Sequence, residues 1–260
     1  MNILDRSSVK IRSGIPYFEV SEISGLEWVR HAFLTRRGGV SLPPYDSLNL
    51  GFRTGDDRLS QNGNLIGAAF GFNPENLVLL HQEHADRILV IEDSPDPLAY
   101  PLEYDAVITR AMKRVLAIQT ADCIPLFVID RRRKAIAAIH AGRQGTALGI
   151  TRKVLRRMRE EFGSSPVDLS VALGPSIGPC CYEIDKKAFI PEWDPFSLHK
   201  GGGRWMVDLA QINIAQMKEE GLQEGQISKI DLCTRCHGDL FFSYRREPET
   251  GRQLSFIGIV

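Results

Sequence analysis

The 260-residue chain is predicted to fold as many short strands with a few helices and no linker between parts. Short apolar runs bounded by Gly, Pro, Asn or Asp recur along its length, the pattern of buried strands. Helical spacing of apolar residues is confined to a few stretches, and no repeat or low-complexity tract interrupts them. With 43% hydrophobic side chains the chain can bury a sizeable core, as one large domain or two closely packed halves. We take residues 1–260 as a single domain.

Val9 to Val20 reads as short strands around a Gly14-Ile15-Pro16 turn, and Val29 to Leu34 as the next strand. Thr35 to Gly51 is a loop, because Gly38-Gly39 and Pro43-Pro44 break regular structure. Its amides, with Arg36 or Arg37 beside them, can hold an anion, and a connector with solvated arginines fits the same residues. A helix is expected from Arg58 to Phe70, with Leu59, Leu65, Ile66 and Ala69 inward despite Gly63, and with Gly71 and Pro74 stopping it. Leu77 to Leu80 and Ile88 to Ile91 flank His81-Gln82-Glu83-His84. Between strands those two histidines point in opposite directions, so one of them faces any site. After a turn at Ser94 to Pro97, Asp105 to Thr109 and Val115 to Ile118 are expected to pair as strands.

Gln119 to Thr146 organises the rest. Two apolar runs, Ile124 to Ile129 and Ala135 to Ile139, bracket the basic turn Arg131-Arg132-Arg133-Lys134, which predicts a buried hairpin. Cys123 lies just before its first strand and His140 just after its second, so closing the hairpin brings a thiol and an imidazole to one sheet edge. Gly145 to Phe162 is a helix with Leu148, Thr151, Val154, Leu155 and Met158 inward and its arginines in water. Val167 to Leu173 is a strand. The following Gly174 to Glu183 loop, with two prolines and two glycines, can bring backbone close to a ligand. A last helix runs from Leu209 to Glu220, capped by Asp208, with Ile212, Ala215 and Gln216 or Met217 inward. Ile227 to Leu232 and Leu254 to Val260 close the chain as strands.

Thirty-two basic residues balance thirty-two acidic ones, so no global field favours nucleic acid or an anionic membrane. The arginines of residues 152–159 have no interleaved aromatics and read as solvated surface. The amino terminus lacks a signal-peptide core, and no uncharged run is long enough to span a bilayer, which implies a cytoplasmic protein. Five cysteines, an odd number in a chain of this length, are expected as reduced thiols.

Four constellations carry chemistry. His84, Cys123 and His140 can hold zinc with a fourth position open, although their long, irregular spacing equally fits a buried thiol with two incidental histidines. Cys233-Thr234-Arg235-Cys236-His237 matches a c-type haem attachment pattern without the export signal such attachment needs. A zinc knuckle of those cysteines with Cys180 and Cys181 conflicts with the usual ligand spacing, because the latter two are adjacent. Cys123 activated by His140 also describes a cysteine hydrolase acting on amide or peptidoglycan-type bonds. Finally, the arginines of Ser243-Tyr244-Arg245-Arg246-Glu247 can clamp a phosphate, or sit as paired charges on an edge strand.

These motifs, in order, resemble one family. Thr35-Arg36 to Gly51, Gln82-Glu83-His84, Thr120-Ala121-Asp122-Cys123, His140-Ala141-Gly142, Leu173 to Tyr182, Cys233-Thr234, Ser243-Tyr244-Arg245-Arg246 and Gly251-Arg252-Gln253 are similar to the YfiH-like polyphenol oxidase, or laccase-domain, family. That family is regarded as purine nucleoside phosphorylases and is also called peptidoglycan editing factors. The resemblance implies an α+β fold with mixed sheets packed between helices in α/β/β/α layers, and a metal held by His84, Cys123 and His140, so His81 drops out. It also implies phosphorolysis of adenosine, inosine and methylthioadenosine with an adenosine deaminase side activity, using zinc; copper-dependent phenol oxidation is the family's earlier label. Its partners are then a purine nucleoside and phosphate. Arg36, Asn49, Arg143 and Arg245 are the expected substrate contacts, with Asp122 as a proton carrier beside Cys123 and His140. The chain departs from the family where His-Ala-Gly-Trp-Arg-Gly becomes His140-Ala141-Gly142-Arg143-Gln144-Gly145, and where an Asn-Arg helix start becomes Asn62-Gly63-Asn64.

Overall fold

The structure is a computed structural model that describes residues 1–91 and 101–260; the turn expected at Ser94 to Pro97 lies outside the described residues. The chain runs through β1 (Asn2–Leu4), β2 (Lys10–Arg12), β3 (Ile15–Phe18), α1 (Ser21–Ser24) and β4 (Val29–Leu34). A long loop leads to α2 (Leu59–Phe70). Then follow β5 (Leu77–Leu79), β6 (Ile88–Ile91), β7 (Ala106–Thr109), β8 (Val115–Thr120), β9 (Ile124–Asp130) and β10 (Ala135–Ala141). The last part comprises α3 (Arg143–Ala147), α4 (Ile150–Phe162), β11 (Leu169–Leu173), β12 (Glu183–Asp185), β13 (Ser197–Gly201), β14 (Arg204–Val207), α5 (Leu209–Glu219), β15 (Ile227–Ile230) and β16 (Gln253–Ile259).

Two mixed sheets stack face to face. One has the order β1-β15-β11-β9-β10-β7-β6 and the other β2-β3-β4-β16-β8-β5. Period-two alternation sorts their side chains into three apolar layers. Ile124, Leu126 and Val128 of β9 face Val154, Met158 and Ile212 of α4 and α5. Phe127 and Ile129 of the same strand meet Phe33, Leu116 and Ile257 of the second sheet. That sheet's far face, with Tyr17, Leu34 and Phe256, is closed by Ile66 and Phe70 of α2. The α+β class and its α/β/β/α layering are as the sequence led us to expect.

Several local expectations are corrected. β7 and β8 do not pair: β7 lies between β10 and β6, while β8 lies between β16 and β5 in the other sheet. The helix expected from Gly145 to Phe162 is two helices, broken at Gly149, whose φ of +72° is a left-handed conformation that suits glycine. Leu148, at the break, is exposed rather than inward. On α2, Leu65 is exposed, and the packed face is Asn62, Ile66 and Phe70 with Gly63 and Gly67, where a Cβ on Gly67 would collide with Phe72 O and the Pro74 ring. Residues 243–247 form a turn rather than a strand. A small third sheet, β12-β14-β13, occupies a region the sequence left unassigned.

Candidate functional site

The β9–β10 hairpin forms as expected, with Ala141 opposite Ile124 and His140 opposite Pro125. His140 therefore sits inside β10, and Cys123, one residue before β9, meets it at the sheet edge. Asp122 aims the thiol from a strained left-handed φ of 96°. Its carboxylate is fixed on both sides: Thr234 Oγ1 donates to Oδ1 at 2.6 Å and the Arg245 backbone N–H to Oδ2 at 2.7 Å.

Asp105, immediately before β7 and fully buried, assembles the histidines. Its carboxylate accepts the backbone N–H groups of Glu83, His84 and Ala85 at 3.2, 2.9 and 2.8 Å, which folds the loop carrying His84 around it. The same carboxylate lies 2.8 Å from His140 Nδ1. With Nδ1–H donating to Asp105, the Nε2 of His140 is left to face Cys123 and His84. Donor atoms of His84, Cys123 and His140 all fall within 4.8 Å of one another. Gly142 makes room for them, since a Cβ there would lie 3.0 Å from both Cys123 Sγ and His84 Cδ2. Two imidazoles and a thiol converging on one point, one ring oriented by a carboxylate, fit an ion such as zinc with three protein ligands and one open side.

Burial opposes ionisation of Cys123, but the adjacent His140 charge and hydrogen bonds from both histidines outweigh it and hold the thiol down at about 6. Burial also opposes a charged His140, yet Cys123 and Asp105 together raise it to about 9. Against the same burial, the bond to His140 and the loop amides keep the Asp105 carboxyl below the usual carboxylate range.

The three residues open on a cavity of about 380 Å³. Arg53, Arg143, Arg245 and Arg252 give it a cationic wall, and Phe52, Tyr182 and Tyr244 supply aromatic surface. Arg143 has no hydrogen-bond or ion-pair partner among the described residues. Arg245 is held by Glu183 O at 2.8 Å with its guanidinium 5.1 Å from the Tyr182 ring centre. Burial pushes the Tyr182 hydroxyl up to about 12, so it stays protonated.

Of the sequence-predicted residues, His84, Cys123, His140, Asp122, Arg143 and Arg245 line this cavity, whereas Arg36 and Asn49 do not. Arg36 donates to Asp46 O and Gly238 O and lies over Phe242, tying two loops together. Asn49 is buried; its Oδ1 accepts from the Gly51 and Arg252 amides and its Nδ2 donates to Thr54 and Asp56. Both tie together loops behind the residues that line it. Asp122, expected as a proton carrier, lines the cavity with its carboxylate accepting from the Thr234 hydroxyl and the Arg245 amide. His81 turns away, stacked on Phe52 and bonded to Arg53. Sequence reasoning missed Asp105, Arg53 and Tyr182. Tyr182 and Arg252 stood in motifs already singled out, but nothing in its neighbours marked Asp105. The spacing objection to Cys180 and Cys181 also fails, because they meet Cys233 and Cys236 in space.

Fold and site thus define a layered α+β protein with a three-residue candidate metal centre facing an arginine-lined cavity. The model of the multi-copper polyphenol oxidoreductase laccase family matches residues 30–260, and the chain belongs to that family. It is 35% identical over 253 residues to a Bacteroides thetaiotaomicron protein named purine nucleoside phosphorylase, covering 91% of this chain and 94% of that one. It is also 35% identical over 233 residues to purine nucleoside phosphorylase YfiH of Escherichia coli, with 87% and 92% covered. The crystal structure of the hypothetical protein YfiH from Bacillus licheniformis superposes with a TM-score of 0.87 at 30% identity, covering 97% of this chain and 99% of that one.

Proposed function

We propose that residues 1–260 act as one purine nucleoside phosphorylase unit that cleaves adenosine, inosine and methylthioadenosine with phosphate. It deaminates adenosine as a side reaction and holds zinc on His84, Cys123 and His140. The observation that carries this reading is the convergence of those three donors at the mouth of a cavity walled by arginines and aromatic rings. The relatives named purine nucleoside phosphorylase support it. Zinc, when bound, supplies a Lewis acid at the open side of the three residues.

The chain's own residues do the rest. Arg143, unpaired, and Arg245, fixed by Asp122 and Glu183, take the phosphate charge. A phosphate oxygen forms its bond to the ribose carbon as the glycosidic bond breaks; the base leaves with the electron pair and takes up the proton that the hydrogen phosphate gives up. The Arg245 guanidinium, already held by Glu183 O, needs little reorganisation as that charge shifts. Phe52, Tyr182 and Tyr244 present ring faces to the purine, and the protonated Tyr182 hydroxyl serves as a hydrogen-bond donor to the departing base. In deamination, a water oxygen replaces the C6 amino group, which leaves as ammonia. We place this work in the cytoplasm; among the described residues no helix is long and apolar enough to cross a membrane.

The zinc-loaded protein, incubated with adenosine and phosphate, should release adenine and ribose 1-phosphate, and Cys123→Ala should abolish that release. No free base from the loaded wild type rejects the phosphorylase reading. One observation favours a second reading: a thiol held at about 6 beside an imidazole raised to about 9 is also an activated nucleophile. A cysteine hydrolase would turn over amide or peptidoglycan-type substrates in the presence of a chelator, and alkylation would stop it.

A further inference from the structure

The five cysteines divide into two sets. Cys123 belongs to the site above, and the other four gather on the protein surface where two loops meet. Cys180 and Cys181 come from the turn after β11, closed by the Cys181 and Tyr182 amides donating to Gly178 O at 3.0 Å each. Cys233 and Cys236 come from the turn after β15, closed by His237 N–H donating to Cys233 O at 3.0 Å. A bridge between Ser176 and Cys233 aligns the two turns. We propose that Cys180, Cys181, Cys233 and Cys236 form a second, structural metal site that binds one zinc ion.

All four sulfurs lie within 4.8 Å of one another. Zinc in a tetrahedron of thiolates, with bonds of about 2.3 Å, holds its sulfurs about 3.8 Å apart. Cys236 Sγ is 3.4 Å from Cys181 Sγ and 3.7 Å from Cys180 Sγ. A disulfide would instead single out one pair at about 2.05 Å. Here Cys236 is shared between two neighbours and all four thiols are free. Adjacent cysteines become compatible with a single ion because a tight turn, not a regular element, carries them. The Cys-x-x-Cys turn supplies the usual ligand pair.

The surroundings also suit thiolates. The Gly178 amide lies 3.3 Å from Cys233 Sγ, and Arg235 reaches Cys181 Sγ at 3.5 Å. Backbone and guanidinium donors of this kind stabilise sulfur that carries negative charge. On binding, four S–H bonds give up protons to solvent and four Zn–S bonds form, with no change of oxidation state.

The consequence is structural. The first turn leads into Tyr182, which lines the cavity, and the second contains Thr234, whose hydroxyl holds the lining residue Asp122, so the ion would pin the loop that lines the cavity to the loop that supports it. Chain closure between residues distant in sequence is where such a clip stabilises most.

Elemental analysis of the full chain tests this separately from catalysis. The wild type should carry about two zinc ions per chain, with Cys123→Ala and Cys236→Ser each retaining about one, since each removes a ligand from a different site. Maleimide labelling of the wild type, followed by peptide mapping, does not depend on whether any variant folds. Cys180, Cys181, Cys233 and Cys236 should resist labelling together and react together once a chelator is added. A single zinc that Cys236→Ser leaves in place, iron in place of zinc, or free labelling of the four thiols before chelation overturns the proposal. So does a disulfide among them in protein purified under reductant.

Discussion

Asp105 shows how one buried carboxylate can set a site without entering it. Replacing it with Asn swaps an acceptor oxygen for an amide group that cannot accept all of the donors from residues 83–85 and His140. Asp105→Asn should weaken metal affinity by about 10- to 100-fold, a shift read by competition with a chromogenic chelator. Arg143 and Arg36 make a contrasting pair. Losing a charge-assisted hydrogen bond of roughly 1.5–3 kcal/mol should raise the phosphate KM of Arg143→Ala about tenfold or more. Arg36→Ala should leave that KM unchanged and lower the melting temperature, because its partners are loop carbonyls. At Cys123 the reactive species is the thiolate. With the folded value held near 6, alkylation of the metal-stripped protein should be fast above that pH and fade below it. A midpoint near the ordinary thiol value of 9.0 would show that His140 does not act on it.

At the scale of elements, the hairpin is the most local part of the site and the part best written in the sequence. Two apolar runs and a basic turn specify both strands, and antiparallel pairing then places Cys123 and His140 with no further information. The β7 and β8 runs are equally apolar, yet their partners lie far along the chain, so the runs alone do not say which sheet receives them. The split between α3 and α4 turns on Gly149. A Cβ there would have 4.0 Å of clearance from its nearest neighbour, the end of the Arg152 side chain, so any penalty is conformational. Gly149→Ala should cost about 1–2 kcal/mol in urea unfolding, the expense of a left-handed residue with a side chain. An unchanged midpoint would mean that the break can straighten.

On the scale of the whole molecule, the two stacked sheets bury His31 of β4 edge-on against the stacked rings of Phe33 and Phe127, where its Nε2 accepts the Val20 amide at 2.9 Å. Burial holds the imidazole neutral down to about 4, whereas the unfolded chain takes up that proton near 6.5. The native state therefore keeps this contribution above pH 6.5 and loses it as the pH falls toward 4, on the order of 3 kcal/mol in all. In His31→Gln the melting temperature should fall less steeply than in the wild type over that interval. An equally steep fall would place the acid-sensitive group elsewhere. By itself the sequence determined most strands of the two large sheets, the three helical stretches and the hairpin, because periodicity and turn chemistry act over a few residues, and its resemblance to the family singled out the set His84, Cys123 and His140. Tertiary structure alone decided that Asp105 governs both histidines, that Arg36 and Asn49 stand behind the wall and that four cysteines from two loops share one corner. Those relations join residues tens to more than two hundred positions apart, and only the stacking of the sheets fixes their distances.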